Sequence, residues 1–112
     1  MTRSAISIGI VDDDASVRRS LFRLLLASGH MPSTYASGPA FLASLDAGLP
    51  DCLVTDLHLP GMSGFDLHRT LLASGYRIPT ILITGFDEAS NAEKCRAAGI
   101  AAYLVKPVPL DR

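Results

Sequence analysis

The sequence predicts an α/β domain, with a parallel sheet covered on both faces by right-handed crossover helices. Apolar runs of strand length recur at 6–11, 31–35, 52–55, 80–84 and 101–105. Stretches of helical length lie between them, bounded by capping residues and glycines, which is the pattern of successive βαβ units. Length is the third constraint. At 112 residues, with 48% hydrophobic and 19% charged residues, the chain can bury one core and is too short for two. It is therefore read as a single domain spanning residues 1–112, without repeats, low-complexity tracts or a linker.

The first strand runs into Val11-Asp12-Asp13-Asp14. The helix after it has the clearest periodicity. Val17, Leu21, Leu24, Leu25 and Ser28 fall on one face, whereas Arg18, Arg19 and Arg23 point elsewhere. Asp14 can cap its start and Gly29 can end it. A second helix is expected over 37–46, capped by Ser37, with Pro39 in its first turn and Phe41, Leu42 and Leu45 as its apolar residues. Gly48 and Pro50 break it before the next strand. Ser63 can cap a third helix through Phe65, Leu67, Leu71 and Leu72 to Gly75. A fourth is expected over 88–98, before Gly99, with a thin face of Ala89, Ala92 and Cys95. His30 is expected in a surface loop and His68 on a polar helix face.

Charge and composition exclude several functions. Ten Lys+Arg against eleven Asp+Glu give a net charge of -1, so this segment lacks a basic face for nucleic acid, and DNA binding would need another domain. Cys52 and Cys95 lack metal-ligand spacing and read as reduced, packed thiols. No apolar run approaches the roughly 18 residues of a membrane span. The opening residues lead straight into a strand rather than a signal peptide, so a cytoplasmic location is the expectation.

Open α/β sheets place their sites outside the carboxyl ends of the strands. Here those ends carry Asp12-Asp13-Asp14, Thr55-Asp56, Thr84-Gly85 and Lys106-Pro107. Three carboxylates from two strand ends repel one another unless a cation lies among them or some are protonated. Oxygen ligands without paired His or Cys suit a hard ion such as Mg²⁺, which often completes its shell with a phosphate oxygen. A phosphoryl group is then the missing partner. Lys106 would pair with its charge, Thr84 would donate to an oxygen and one carboxylate would be the nucleophile. Singly, each residue has an ordinary explanation: a helix N-terminal acid, a loop Asp, a strand Thr, a solvated Lys. Their joint occurrence at successive strand ends argues for a site.

These residues resemble the receiver domain of two-component response regulators. The resemblance runs from Ile6 to Pro107 and rests on Val11-Asp12-Asp13, Asp56-x-x-x-Pro60-x-x-x-Gly64, Ile83-Thr84-Gly85 and Tyr103-x-x-Lys106-Pro107. The stretch from Val54 to Gly64 looks like the receivers of FixJ-type transcription regulators. The resemblance implies a flavodoxin-like (CheY-like) doubly wound sheet of order 2-1-3-4-5. It also implies a fifth helix cut away at Leu110-Asp111-Arg112, leaving apolar surface exposed near that edge and favouring association. By position, Asp56 matches the phosphoacceptor, and Asp12 and Asp13 match the acidic pair that holds Mg²⁺ with Asp56. His58 stands where a backbone carbonyl completes the metal shell. Thr84 and Lys106 match the residues that bind the phosphoryl oxygens, Tyr103 matches the aromatic switch, and the Lys106-Pro107 bond is expected to be cis. His58 and Phe86, each two residues beyond a site residue, are expected to tune phosphate hydrolysis.

The implied partner is a sensor histidine kinase, with possible homodimer formation on phosphorylation and DNA contacted only through a C-terminal output domain in a longer parent chain. On this reading the segment is not an enzyme beyond its own phosphorylation and dephosphorylation. A rival reading is a haloacid-dehalogenase-like phosphatase, because Asp12-Asp13-Asp14-Ala15-Ser16 also fits a D-x-D-x-[TS] loop with Asp12 as nucleophile. That rival leaves Asp56 without a role. A flavodoxin-like nucleotide binder is disfavoured by three acids where phosphate would sit, and a never-phosphorylated interaction module by the intact acid pair, Asp56, Thr84 and Lys106.

Overall fold

In the computed structural model, which describes residues 5–85, 88 and 90–106, strands and helices alternate as the apolar pattern requires. They are β1 (Ser7–Val11), α1 (Ala15–Ala27), β2 (Met31–Tyr35), α2 (Gly38–Ser44) with a 3-10 turn at Leu45–Ala47, β3 (Cys52–Asp56), α3 (Gly64–Ala73), β4 (Thr80–Thr84), α4 (Asn91–Ala98) and β5 (Ala102–Val105). Every strand pairing is parallel and the order is β2-β1-β3-β4-β5. This is the doubly wound arrangement expected. Pro107, the supposed cis bond before it, Phe86, Ala89 and the fifth helix at Leu110 to Arg112 lie outside the described residues.

Side chains alternate across a strand, and the core divides accordingly. Ile8, Ile10, Val54 and Ile83 face α1, where Leu21 is buried and Val17 and Leu25 pack beside it. On the other face, Val11 and Leu53 pack against Phe41 and Leu45 of the α2 segment and Leu67 and Leu71 of α3, while Leu82 meets Cys95 of α4 and Ile100. Near the β5 edge, Leu104 is 43% exposed. Its register partner Ile83 faces α1.

The caps sit where the side chains predict them. Asp14 accepts from the Ser16 N–H at α1, Ser37 accepts from the Ala40 N–H at α2, and Ser63 and Asp66 close a reciprocal capping box on α3. Three expectations require correction. Ser28 is exposed rather than on the apolar face, because it is the C-cap of α1 and its hydroxyl donates to the Leu24 carbonyl. The buried residues of α4 are Asn91 and Cys95, and Ala92 is exposed. The helix starts at Asn91 rather than 88, and the i, i+4 pair Asn91 and Cys95 forms its inward face.

His68 is the third. It is buried, not on a polar face, because Gly64, Leu67, His68 and Leu71 together form the inward stripe of α3. Burial is tolerated because both ring nitrogens find partners: Nδ1 lies 3.2 Å from Thr80 Oγ1, and Nε2 lies 3.0 Å from the Ala98 carbonyl. The imidazole thus ties α3 to β4 and to the end of α4. His30 is half-buried, its Nδ1 accepting from the Ile6 N–H at 3.4 Å.

Gly64 fixes how closely α3 approaches the end of β3. A Cβ there would lie 2.7 Å from the Asp56 carbonyl oxygen and 2.7 Å from Leu82 Cδ1. Gly64→Ala is therefore expected to destabilise the fold by about 1–3 kcal/mol through overpacking against backbone. Gly85→Ala, where a Cβ meets nothing within 4 Å, serves as the control in urea denaturation. Equal midpoints for the two variants would contradict this packing.

Candidate functional site

In the order β2-β1-β3, the connections from β1 and β3 leave in opposite directions, and the crevice opens outside their carboxyl ends. Asp12 follows β1 directly and is fully buried, held by its N–H donating to the Tyr35 carbonyl at 3.2 Å. Asp56 is the last residue of β3 and is 6% exposed. Asp13 is exposed at the mouth. One carboxylate oxygen from each of Asp12, Asp13 and Asp56 can be chosen so that all lie within 4.8 Å of one another.

Lys106, just after β5, reaches across this group. Its Nζ is 3.1 Å from Asp12 Oδ2 and 3.3 Å from Asp56 Oδ2. The backbone sets that reach, because the Lys106 N–H donates to the Thr84 carbonyl and continues the β4–β5 ladder. The remaining contacts orient the acids. Asp12 Oδ1 accepts from the Asp14 N–H at 2.9 Å, and Asp56 Oδ1 accepts from the His58 N–H at 3.3 Å. Asp12 Oδ2 is buried and faces Lys106 as an ion pair without hydrogen-bond geometry.

Burial pushes the Asp12 carboxyl above its ordinary range; the Asp14 N–H and Lys106 pull it back only in part, and the Asp56 charge adds to the rise. Burial by itself would depress Lys106. The close Asp12 carboxylate, joined by Asp56, outweighs it and holds the ammonium above the ordinary lysine value. Asp14 behaves as a cap: the Ser16 hydroxyl and N–H hold its carboxyl below the usual range.

Of the other expected residues, Thr84 ends β4, fully buried, one residue beyond Ile83, the register partner of Asp56. The His58 side chain is exposed. Tyr103 lies in β5, half-buried, and its hydroxyl accepts from Asn91 Nδ2 at 3.0 Å, which ties the ring to the first residue of α4.

Two contributors escaped sequence reasoning. Arg18 points away from the apolar stripe of α1, as expected, but its Nη1 donates to the Asp12 carbonyl at 2.7 Å and braces the acidic loop. Asn91 is 1% exposed. A polar residue at the start of a helix with few apolar residues was its only signal.

The donor set fits a hard divalent cation. All three side-chain ligands are carboxylates, they converge, and Asp12 offers a buried oxygen lacking a hydrogen bond. With the folded-state pKa of Asp12 raised above its ordinary 3.8, the unfolded chain ionises first, so stability falls as pH rises from that value through the folded pKa. Asp12→Asn is expected to remove this loss and to raise the melting temperature of the metal-free chain at neutral pH relative to acid pH, with Lys106 keeping Asp56 as a partner. Added Mg²⁺ should narrow the difference. Thermal unfolding across pH checks this, and an unchanged or lowered melting temperature in the variant would contradict it.

Comparison with known proteins gives a consistent picture. A family model described as the response regulator receiver domain matches residues 8–112. The transcriptional regulatory protein FixJ of Azorhizobium caulinodans is 38% identical over 106 residues, covering 92% of this chain and 49% of that protein. This chain thus spans about half the length of that relative. The crystal structure of FixJ-N superposes with a TM-score of 0.85 at 36% identity, covering 95% of this chain and 85% of that one. A response regulator receiver protein from Burkholderia phymatum gives 0.82 at 42% identity, covering 94% and 86%. These relatives lend the phosphatase reading no support. Among the described residues, no helix is long and apolar enough to cross a membrane.

Proposed function

Because the chain belongs to the response regulator receiver domain family, we propose that Asp56 is its phosphoacceptor, charged by a phosphohistidine on a sensor histidine kinase. The observation that carries this reading is the Lys106 ammonium lying against both Asp12 and Asp56 across separate strand ends. A carboxylate poised beside a fixed cation can receive a highly charged group with little rearrangement.

In the proposed step an Asp56 carboxylate oxygen attacks phosphorus, a P–O bond forms, the P–N bond to the kinase imidazole breaks, and its electron pair returns to the ring nitrogen. The residues supply position and charge. Lys106 turns its ammonium from the carboxylates to the phosphoryl oxygens. Mg²⁺, held by Asp12, Asp13, Asp56 and the His58 carbonyl, supplies further charge neutralisation when bound. The Thr84 hydroxyl then donates to a phosphoryl oxygen and draws the following loop inward. Tyr103 fills the vacated space, and to do so it releases Asn91, so the start of α4 carries the change.

The segment acts as a switch whose only chemistry is its own phosphorylation and dephosphorylation. Its setting is the cytoplasm. Its output is transcription, through a DNA-binding domain in a longer chain whose receiver part is residues 1–112, with homodimer formation on phosphorylation. The FixJ relative supports that output by its description as a transcriptional regulatory protein.

Incubation with acetyl phosphate and Mg²⁺ should add one phosphoryl group, located at Asp56 by peptide mapping, and Asp56→Asn should reduce incorporation to background. Lys106→Ala, assayed with Mg²⁺ present and at a temperature where circular dichroism shows it folded, should slow incorporation by at least about tenfold, the scale of one lost charge-stabilising group. Label at Asp12, or full incorporation in Asp56→Asn, would refute the assignment.

A further inference from the structure

Where α3 meets α4 the surface carries an open groove of about 650 Å³. Its walls are largely apolar: Phe65 and Leu72 come from α3, Ala97 and Ala98 from α4. Leu72 is 45% exposed, which makes it a large apolar side chain offered to solvent at a concave site. Arg69 and Lys94 also line this groove. A second depression of about 400 Å³ adjoins it, sharing His68, Leu72 and Ala98, and is lined in addition by Arg77. Among the described residues, no carboxylate lines either depression. In a chain whose net charge is -1, this face inverts the average.

The cations are available. Arg69 Nη2 meets Asp66 Oδ1 at 2.9 Å, with both side chains exposed, and such a pair contributes little and yields to a competing carboxylate. Lys94 forms no ion pair among the described residues. The groove is also preformed. His68 spans from α3 to Thr80 and to the Ala98 carbonyl, fixing the two helices relative to each other, while Ala97 and Ala98 are too small to fill the space between them.

We propose that this groove docks an acidic amphipathic helix of a partner protein. Its apolar face would cover Leu72 and Phe65, and its carboxylates would meet Arg69, Lys94 and Arg77. Phe65, Arg69 and Leu72 are spaced as i, i+4 and i+7 along α3, a ridge that accepts another helix side by side. Nucleic acid is a poorer match, because an apolar groove with Arg69, Lys94 and Arg77 at its edges lacks an extended basic track. None of Asp12, Asp13, Asp56 and Lys106 lines the groove, so binding there can be measured without phosphotransfer.

The probe is a helical peptide of about sixteen residues, long enough to hold helical structure, with leucines at i, i+3, i+4 and i+7 flanked by glutamates. Its twin carries lysines in their place. Titrated into the isotope-labelled chain, the acidic peptide should shift the amides of Phe65, Arg69, Leu72, Lys94 and Ala97 and bind at least about tenfold tighter than the basic twin. Arg69→Glu with Lys94→Glu should reverse that preference. The milder pair Arg69→Gln with Lys94→Gln should weaken the acidic peptide while leaving the basic one unchanged. Equal affinities, shifts confined to another face, or charge-reversal variants that bind the acidic peptide as the wild type does would overturn the proposal. Response at this groove to a single-stranded oligonucleotide but not to the acidic peptide would overturn it as well.

Discussion

At the ends of β1 and β3 two carboxylates, Asp12 and Asp56, are buried within reach of each other, and the Lys106 ammonium from beyond β5 lies against both. Like charges in a poorly solvated place repel strongly, so this arrangement persists only because the backbone forces it and a cation relieves it. Parallel pairing places β1 beside β3, and the β4–β5 ladder carries Lys106 to their open end. The sheet is in this sense a device for holding a charge conflict in place. In the proposed function, a doubly charged phosphoryl group or a divalent cation entering there changes the balance, and the response passes through Thr84, Tyr103 and Asn91.

The rest of the packing protects that geometry. Gly64 lets α3 begin against the Asp56 carbonyl, and Arg18 holds the Asp12 carbonyl from the first turns of α1. His68 does similar work farther away, joining α3, β4 and α4 through one ring. The same bridge leaves a concave, cationic face between the two helices, so one buried side chain both stiffens the scaffold and shapes a surface.

Much of the fold was legible because its signals are local. Alternating apolar runs, the caps at Asp14, Ser37 and Ser63, and the break at Gly29 act within a few residues of themselves, and the structure places each where chain chemistry predicts. Asp12, Asp56, Thr84 and Lys106 were legible for a related reason: each stands at or just beyond the carboxyl end of a strand, and open parallel sheets gather those ends along one edge. Errors came where local signals are weak. In α4 a helix of small and charged residues gives almost no moment, so its phase could not be read and Asn91 was missed. For His68 the residue type points to a polar face, whereas its spacing with Leu67 and Leu71 puts it on the inward stripe.

By itself, then, the sequence determined which segments become strands and helices and which acids, hydroxyl and lysine lie at their ends, since periodicity and capping are properties of neighbouring residues. Tertiary structure alone decided that Lys106 lies against both Asp12 and Asp56, that Arg18 turns back to the acidic loop, that Asn91 holds Tyr103, and that His68 links three elements. These contacts join residues as few as 6 positions apart, as in Arg18 with Asp12, and as many as 94, as in Lys106 with Asp12. Their distances are set by strand register and helix approach, which depend on how the whole core packs.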